Sequence, residues 1–262
     1  MIAFSRAACL TLCLTPLVTG ATEAQTGPDP SRPRIDRFPV GETLLFDVKL
    51  AFITLGEGMM HVAGVDSIRG VPSLHVVFWL RGGPPFYKLD DRMDSWFGVD
   101  DFRSRRFVQD FHEGGSDRYT HYEIFPDSGF YRQEGIDSAL AASPNPLDDT
   151  AFFYFVRSLD LEVGDRHMFE NYFRPDRNPV IIEVVRRDTL DVPAGRFPSI
   201  VIRPTIQGRG ILADTQNPRL WLSDDERRLV VQLKSSFPII GPITLRLKEI
   251  GEAPPPEFQL EK

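Results

Sequence analysis

The chain has 262 residues, of which 42% are hydrophobic and 26% are charged, and its formal net charge at pH 7 is −7. This is the composition of an ordinary globular protein, and a chain of this length can bury a sizeable core. An acidic surface repels phosphate groups. The charge therefore argues against nucleic acid as a partner and against an electrostatic hold on anionic lipid.

The first 24 residues have the three parts of a cleavable signal peptide. A short start with one cation, Arg6, precedes an apolar stretch at 7–18, and the small residues Thr22 and Ala24 fit cleavage before Gln25. The apolar stretch is shorter than the roughly 20 residues that a transmembrane helix needs. We therefore predict a signal peptide at 1–24 and no transmembrane segment in the mature chain.

Both cysteines of the chain, Cys9 and Cys13, lie inside this segment. Leu12 stands before Cys13 where a lipoprotein signal has a small residue, and Cys9 comes before an adequate apolar stretch. We therefore expect no lipid anchor, and a mature chain of about 238 residues without thiols or disulfides. The predicted location is the periplasm or the exterior, as a soluble protein.

Composition divides the mature chain into three parts. Residues 25–39 are rich in proline and polar residues, which is typical of a flexible linker. Residues 251–262 have the same character and are predicted to be a flexible tail, and Pro254 to Pro256 should end the last strand. The segment between them, 40–250, is the predicted folded domain.

Within this domain, short apolar runs of period two alternate with Gly, Pro and Asp turns, which is typical of antiparallel sheet. The predicted strands are 44–50, 56–65, 74–80, 95–97, 104–109, 119–125, 129–133, 166–173, 180–188, 191–192, 199–204, 218–223, 229–235 and 241–251. Two segments between them predict hairpin turns. One is Gly114-Gly115-Ser116, and the other is 192–197, where Pro193 restricts φ and Gly195 permits a positive φ.

One stretch breaks this rhythm and predicts a helix at 150–160. Asp148, Asp149 and Thr150 supply N-capping groups and negative charge, and Gly164 follows as a stop. The apolar residues of the stretch lie on all sides of the helix, so it should be mostly buried. We predict a mainly β fold: a single antiparallel, strongly curved sheet or incomplete barrel with one buried helix.

Three segments carry a family resemblance when they are taken in order. They are VGETLLFDV at 40–48 with LGEG at 55–58, LDDTAFFYFVR at 147–157 with GD at 164–165, and VPAGRFP at 192–198 with LWLSDDERRLV at 220–230 and GPITL at 241–245. Together they resemble the bacterial family catalogued as domain of unknown function 3108. This resemblance implies an exported, β-rich protein with no established chemistry. A broader likeness to periplasmic lipoprotein carriers, which hold acyl chains in a half-open barrel around a helix, is one of fold alone.

No recognisable motif supplies a nucleophile beside a base. The chain has no G-x-S-x-G elbow, and the mature chain has no thiol. We therefore expect no catalytic residue and no cofactor, and keep a hydrolase of unknown type as one alternative.

Metal binding also has weak support in the sequence. His121 and Glu123 would share one face of a strand, but metal sites normally combine three or four ligands. Asp90, Asp91 and Asp94 lack the spacing of an EF-hand and are interpreted as a charged loop. We expect no metal site.

The aromatic residues suggest the leading hypothesis. They either fill a plain core or, if helix and sheet do not close completely, line a groove for an apolar ligand such as a lipid. The candidate ligand-binding residues are Phe78, Phe152, Phe153, Phe155 and Trp221. The predicted function is a non-catalytic binder or carrier of the cell envelope, and the other alternative is a structural or assembly partner of envelope proteins.

Overall fold

The computed structural model of the chain describes residues 35–84, 87–208, 212, 217–237 and 241–259. The predicted signal peptide with Cys9 and Cys13, and the linker as far as residue 34, lie outside the described residues. The predicted domain lies almost entirely inside them.

Fourteen strands are found in the described part of the chain, and every neighbouring pair is antiparallel. The strands are β1 Thr43–Leu50, β2 Ile53–Ile68, β3 Val71–Gly82, β4 Leu89–Gly98, β5 Ser104–Glu113, β6 Ser116–Phe125, β7 Phe130–Gln133, β8 Leu140–Ala141, β9 Arg166–Phe169, β10 Val180–Val192, β11 Gly195–Thr205, β12 Arg219–Ser223, β13 Val230–Phe237 and β14 Gly241–Gly251.

The sheet consists of two meanders joined side by side. Strands β1 to β8 follow one another in order, strands β14 to β9 follow in reverse order, and β1 pairs with β14 in the middle. The two outermost strands, β8 and β9, do not pair, so the sheet is not closed. Next to them, Leu147 forms an isolated parallel bridge with Tyr172, which brings the two edges together at one place.

The predicted helix is present as α1, Asp149–Ser158, with Asp148 as its N-cap. It lies in the connection between β8 and β9 and packs on β3 and β4. We call the face of the sheet that carries α1 the inner face. All residues of α1 except Asp149 and Phe155 are buried, which confirms a mainly β fold with one buried α-helix in the described part of the chain.

The two predicted turns are confirmed. Gly114 and Gly115 join β5 to β6 with φ values of 58° and 87°, as a two-residue hairpin turn requires. Gly195 pairs with Val192 across the turn between β10 and β11 and has a φ of 135°. A side chain at such a φ is strained, which explains why glycine stands there.

The charged loop expected at Asp90, Asp91 and Asp94 is wrong, because all three lie on β4. Asp90 and Asp94 point to one face, and Asp91 points to the other face with Met93, so a strand with charged groups on both faces resembled a loop. Other bounds differ less. β2 is longer than predicted, β9 is shorter, and 180–188 and 191–192 belong to one strand.

A short helical turn, Pro256–Phe258, follows the end of β14 at Gly251. Phe258 is only 4% exposed and packs against Met59, Val77 and Trp79 on the outer face, opposite α1. The flexibility expected of 251–262 stays a prediction, but its described part lies against the sheet.

Candidate functional site

The start of α1 is fastened to two strands through Asp148. One carboxylate oxygen accepts the N–H groups of Thr150 and Ala151, both at 2.9 Å. The other accepts the hydroxyls of Ser95 on β4, at 2.6 Å, and Ser104 on β5, at 2.7 Å. Complete burial raises the pKa of Asp148 to about 6, against the opposing effect of these hydrogen bonds. The two serines are therefore engaged in holding the helix.

The end of α1 is fastened through Arg157, which is fully buried. Its guanidinium lies 2.7 Å from the carboxylate of Glu42, directly before β1, and 4.8 Å from the ring centre of Phe38. Its backbone carbonyl accepts a hydrogen bond from Arg37 at 2.8 Å. Since β1 and β5 begin and β4 ends at the same end of the sheet, α1 covers that end, which we call the helix end.

Three of the five candidate ligand residues meet between α1 and the sheet. The rings of Phe78 and Phe153 stack with centres 5.4 Å apart, and Phe152 lies 6.1 Å from Phe153. Each is at most 2% exposed. These three residues form a packed core in this structure, and a ligand among them would have to displace part of it.

Phe155 and Trp221 lie elsewhere. Phe155 is half-buried and contacts Phe169 of β9, with ring centres 5.1 Å apart. Trp221, on β12, is 4% exposed and belongs to the buried core, with Arg186 and Lys234 lying 5.9 Å and 5.4 Å from its ring centre. Its indole N–H donates to Asp188 at 3.1 Å. Trp221 thus lies in the other meander and not in the contact between α1, β3 and β4.

An apolar surface that the sequence reasoning missed lies at the opposite end of the sheet, where β1, β3 and β5 end. We call it the far end. Phe52, in the β1–β2 turn, is 87% exposed and Ile53 is 52% exposed, while Leu50, Leu55 and Phe111 are half-buried. The signal was available, because the apolar alternation of 44–50 runs on into a turn that is itself apolar.

The same end of the inner face carries a pair of carboxyl groups. Asp91 is buried, is paired across the strands with Leu80 and Phe111, and is hydrogen-bonded to Glu113. Burial and the nearby charge of Glu113 raise the pKa of Asp91 to about 7. The backbone N–H of His112 donates to the same carboxyl at 3.2 Å.

The other aspartates of β4 face outward into ion pairs. Asp90 accepts the indole N–H of Trp79 at 2.7 Å. Asp94 lies 2.6 Å from Arg92 and 2.8 Å from His75. Although burial opposes it, these hydrogen bonds lower the pKa of Asp94.

His121 and Glu123 share one face of β6, with 3.0 Å between imidazole and carboxylate. Arg106 also binds Glu123, at 2.6 Å, so cations already surround this carboxylate. Across the described ranges, no three or more histidine, cysteine or carboxylate side chains come together as metal ligands. The pair reads as part of a charged outer surface.

Fold and site together define a class: a single, curved antiparallel sheet with a helix packed on its inner face at one end. The chain belongs to the family described as protein of unknown function DUF3108, whose model matches residues 45–248, and this confirms the resemblance seen in the sequence. No curated protein matches the chain. Among the residues described, no helix has the length and hydropathy needed to cross a membrane.

Several solved structures are similar to the chain at low identity. A β-barrel-like protein of the DUF1849 family from Brucella abortus is 11% identical, with a TM-score of 0.48 and coverage of 80% of this chain and 96% of that one. A candidate lipoprotein from Parabacteroides distasonis is 10% identical, with a TM-score of 0.35 and coverage of 82% and 97%. A DUF1089 family protein from Pseudomonas aeruginosa is 17% identical, with a TM-score of 0.37 and coverage of 70% and 90%.

Proposed function

We propose that the protein is exported and non-catalytic, and that it binds an apolar ligand such as an acyl chain on the inner face of the sheet. The observation that supports this is the far end, where Phe52 and Ile53 are exposed, Leu50 pairs with Ile53, and Phe111 lies half-buried near the end of β5. Large apolar side chains left exposed beside a concave apolar face are typical of binding sites.

The ligand enters at the far end rather than beside the helix. Phe78, Phe152 and Phe153 are buried against one another, and both ends of α1 are held by buried polar contacts at Asp148 and Arg157. Moving the helix would break these contacts, whereas a ligand at the far end covers surface that is already exposed. Phe78, Phe152 and Phe153 then stay in the packed core.

Export supports the same function. The predicted signal peptide at 1–24 would deliver a chain without cysteine to the periplasm or the exterior. The proposed role is that of a binder or carrier of the cell envelope.

The first experiment identifies the ligand. The protein is purified from its native compartment without detergent, extracted with organic solvent and examined by lipid mass spectrometry. We expect one class of lipid in stoichiometric amount. An extract without lipid, together with no saturable binding of a fluorescent fatty acid, would overturn the proposal.

A pair of variants locates the site. Ile53→Glu places a charge at the far end, and Val65→Glu places one on the same strand at the helix end, where the side chain is 53% exposed compared with 52% for Ile53. Burying a charge in an apolar site is unfavourable, so Ile53→Glu should weaken binding of the fluorescent fatty acid by about tenfold or more. Val65→Glu should leave it unchanged. Equal affinities of the two variants would contradict a site at the far end.

A further inference from the structure

The outer face carries a second apolar cluster, separate from the core around α1. Met59, Val77 and Trp79 form it, and Phe258 from the end of the chain inserts into it. The rings of Trp79 and Phe258 meet edge to face with centres 5.5 Å apart. An aromatic side chain is therefore the group that this outer cluster accepts.

The indole of Trp79, which is one wall of the outer cluster, is oriented by residues of the sheet. The indole N–H of Trp79 donates to Asp90 at 2.7 Å. The guanidinium groups of Arg81 and Arg92 lie 5.5 Å and 5.0 Å from its ring centre. Such contacts orient the indole whether or not Phe258 is present.

The tail presents its phenylalanine from a proline-rich segment. Pro254 to Pro256 precede Phe258, and the guanidinium of Arg81 donates to the backbone carbonyl of Glu257. The proline rings fix φ in the free segment, so less conformational entropy is lost when it binds. The segment thus binds the sheet through one side chain and one carbonyl, in the manner of a docked peptide.

The described part of the tail leaves space beside it. A groove of about 440 Å³ continues past Phe258 between β2, β3, β4 and the tail. Its lining includes Glu57, Arg81, Lys88 and Asp90, so both signs of charge are available for a longer or different segment.

We propose that the outer cluster and this groove form a peptide-binding site that the chain's own tail occupies, and that its partner is a segment of another protein with an aromatic residue shortly after a run of prolines, as in the tail. The occupant seen in the structure defines this chemistry. The site lies on the face opposite α1 and is independent of the ligand proposed for the inner face.

The test uses the full chain with Phe258→Ala, which empties the aromatic position and leaves the walls in place. The probe is a synthetic peptide of residues 252–259 (EAPPPEFQ), titrated by calorimetry, and the control peptide has alanine in place of phenylalanine. We expect the peptide to bind Phe258→Ala at one site. Wild type should bind it about tenfold or more weakly, because the tethered tail competes at a high effective concentration. The control peptide should not bind.

Two further variants make the result decisive. Trp79→Leu, added to Phe258→Ala, keeps the site apolar but removes the ring. It should lower the affinity for the peptide by about tenfold, in line with the loss of an aromatic contact. Phe258→Leu, with a smaller apolar group in cis, should give an affinity between wild type and Phe258→Ala.

The proposal is overturned if the peptide fails to bind a folded Phe258→Ala or Phe258→Leu chain, or if it binds wild type equally well. It is also overturned if circular dichroism shows that both variants have lost the fold, because the tail is then a structural part of the sheet and not an exchangeable occupant.

Discussion

Among single residues, Asp91 is the one whose environment is least typical for its chemistry. It is a carboxyl group on an apolar face beside a second carboxyl group, Glu113, and it keeps a proton near neutral pH since burial and Glu113 raise its pKa to about 7. An unfolded aspartate has a pKa of about 3.9. The folded protein therefore binds one more proton than the unfolded chain between these two pH values.

This difference predicts how stability depends on pH. The contribution of Asp91 to the free energy of unfolding is largest below about pH 4 and falls as the pH rises to 7, because the folded state binds the proton and the unfolded state does not. Asp91→Asn cannot titrate, so its stability relative to wild type should be higher at pH 8 than at pH 4 by on the order of 2 kcal/mol, allowing for solvent screening.

Urea unfolding followed by circular dichroism at both pH values measures this difference. Asp90→Asn, on the neighbouring residue of the opposite face, is the control for removing an aspartate from β4. If the stability of Asp91→Asn relative to wild type is the same at pH 4 and pH 8, Asp91 does not carry the proton.

At the level of the element, α1 depends on its first turn more than on its sequence propensity. The helix has ten residues, which is too short to be stable alone in water, and Phe152, Phe153 and Val156 are not strong helix formers. Asp148 compensates by capping two N–H groups and binding two serines. The cap therefore joins local structure to tertiary structure.

Asp148→Ala should accordingly lower the free energy of unfolding by more than the loss of an ordinary N-cap does. Loss of a cap costs about 1 kcal/mol, and two buried serine hydroxyls lose their acceptor, which adds about 1–3 kcal/mol. We expect a loss of roughly 2–4 kcal/mol in thermal or urea unfolding. Asp148→Asn keeps an oxygen acceptor and should lose clearly less. Equal losses would show that the carboxylate charge, and not its geometry, matters.

At the level of the whole molecule, the ion pair of Arg157 and Glu42 connects the end of α1 to the start of β1. Their side chains are 0% and 3% exposed, and Arg157 also donates to the carbonyl of Arg227 at 3.3 Å, in the turn between β12 and β13. The pair thus joins the helix to both meanders at the helix end of the sheet.

A double-mutant cycle tests this connection. Arg157→Met leaves the Glu42 carboxylate buried without its partner and should destabilise the protein by about 3–5 kcal/mol in urea unfolding. The double variant Arg157→Met with Glu42→Gln removes both charges and should recover a large part of that loss. If the two changes simply add, the buried pair is not a coupled unit.

The sequence by itself determined the local structure. Period-two alternation located most strands, Gly114-Gly115 and Gly195 located turns, and Asp148 located the start of α1, because each of these depends on neighbours within a few residues. The family resemblance likewise rests on short segments in order, and the match over 45–248 confirms it.

The tertiary structure decided which face of the sheet each side chain occupies. Alternation separates Asp90 from Asp91, but it does not say which of the two faces the helix covers. That choice is made by contacts between distant parts of the chain, such as Glu42 with Arg157 and Trp79 with Phe258. For this reason the sequence could name the aromatic residues, while only the folded sheet placed Phe78 and Phe153 inside and left Phe52, Ile53 and the outer groove at the surface.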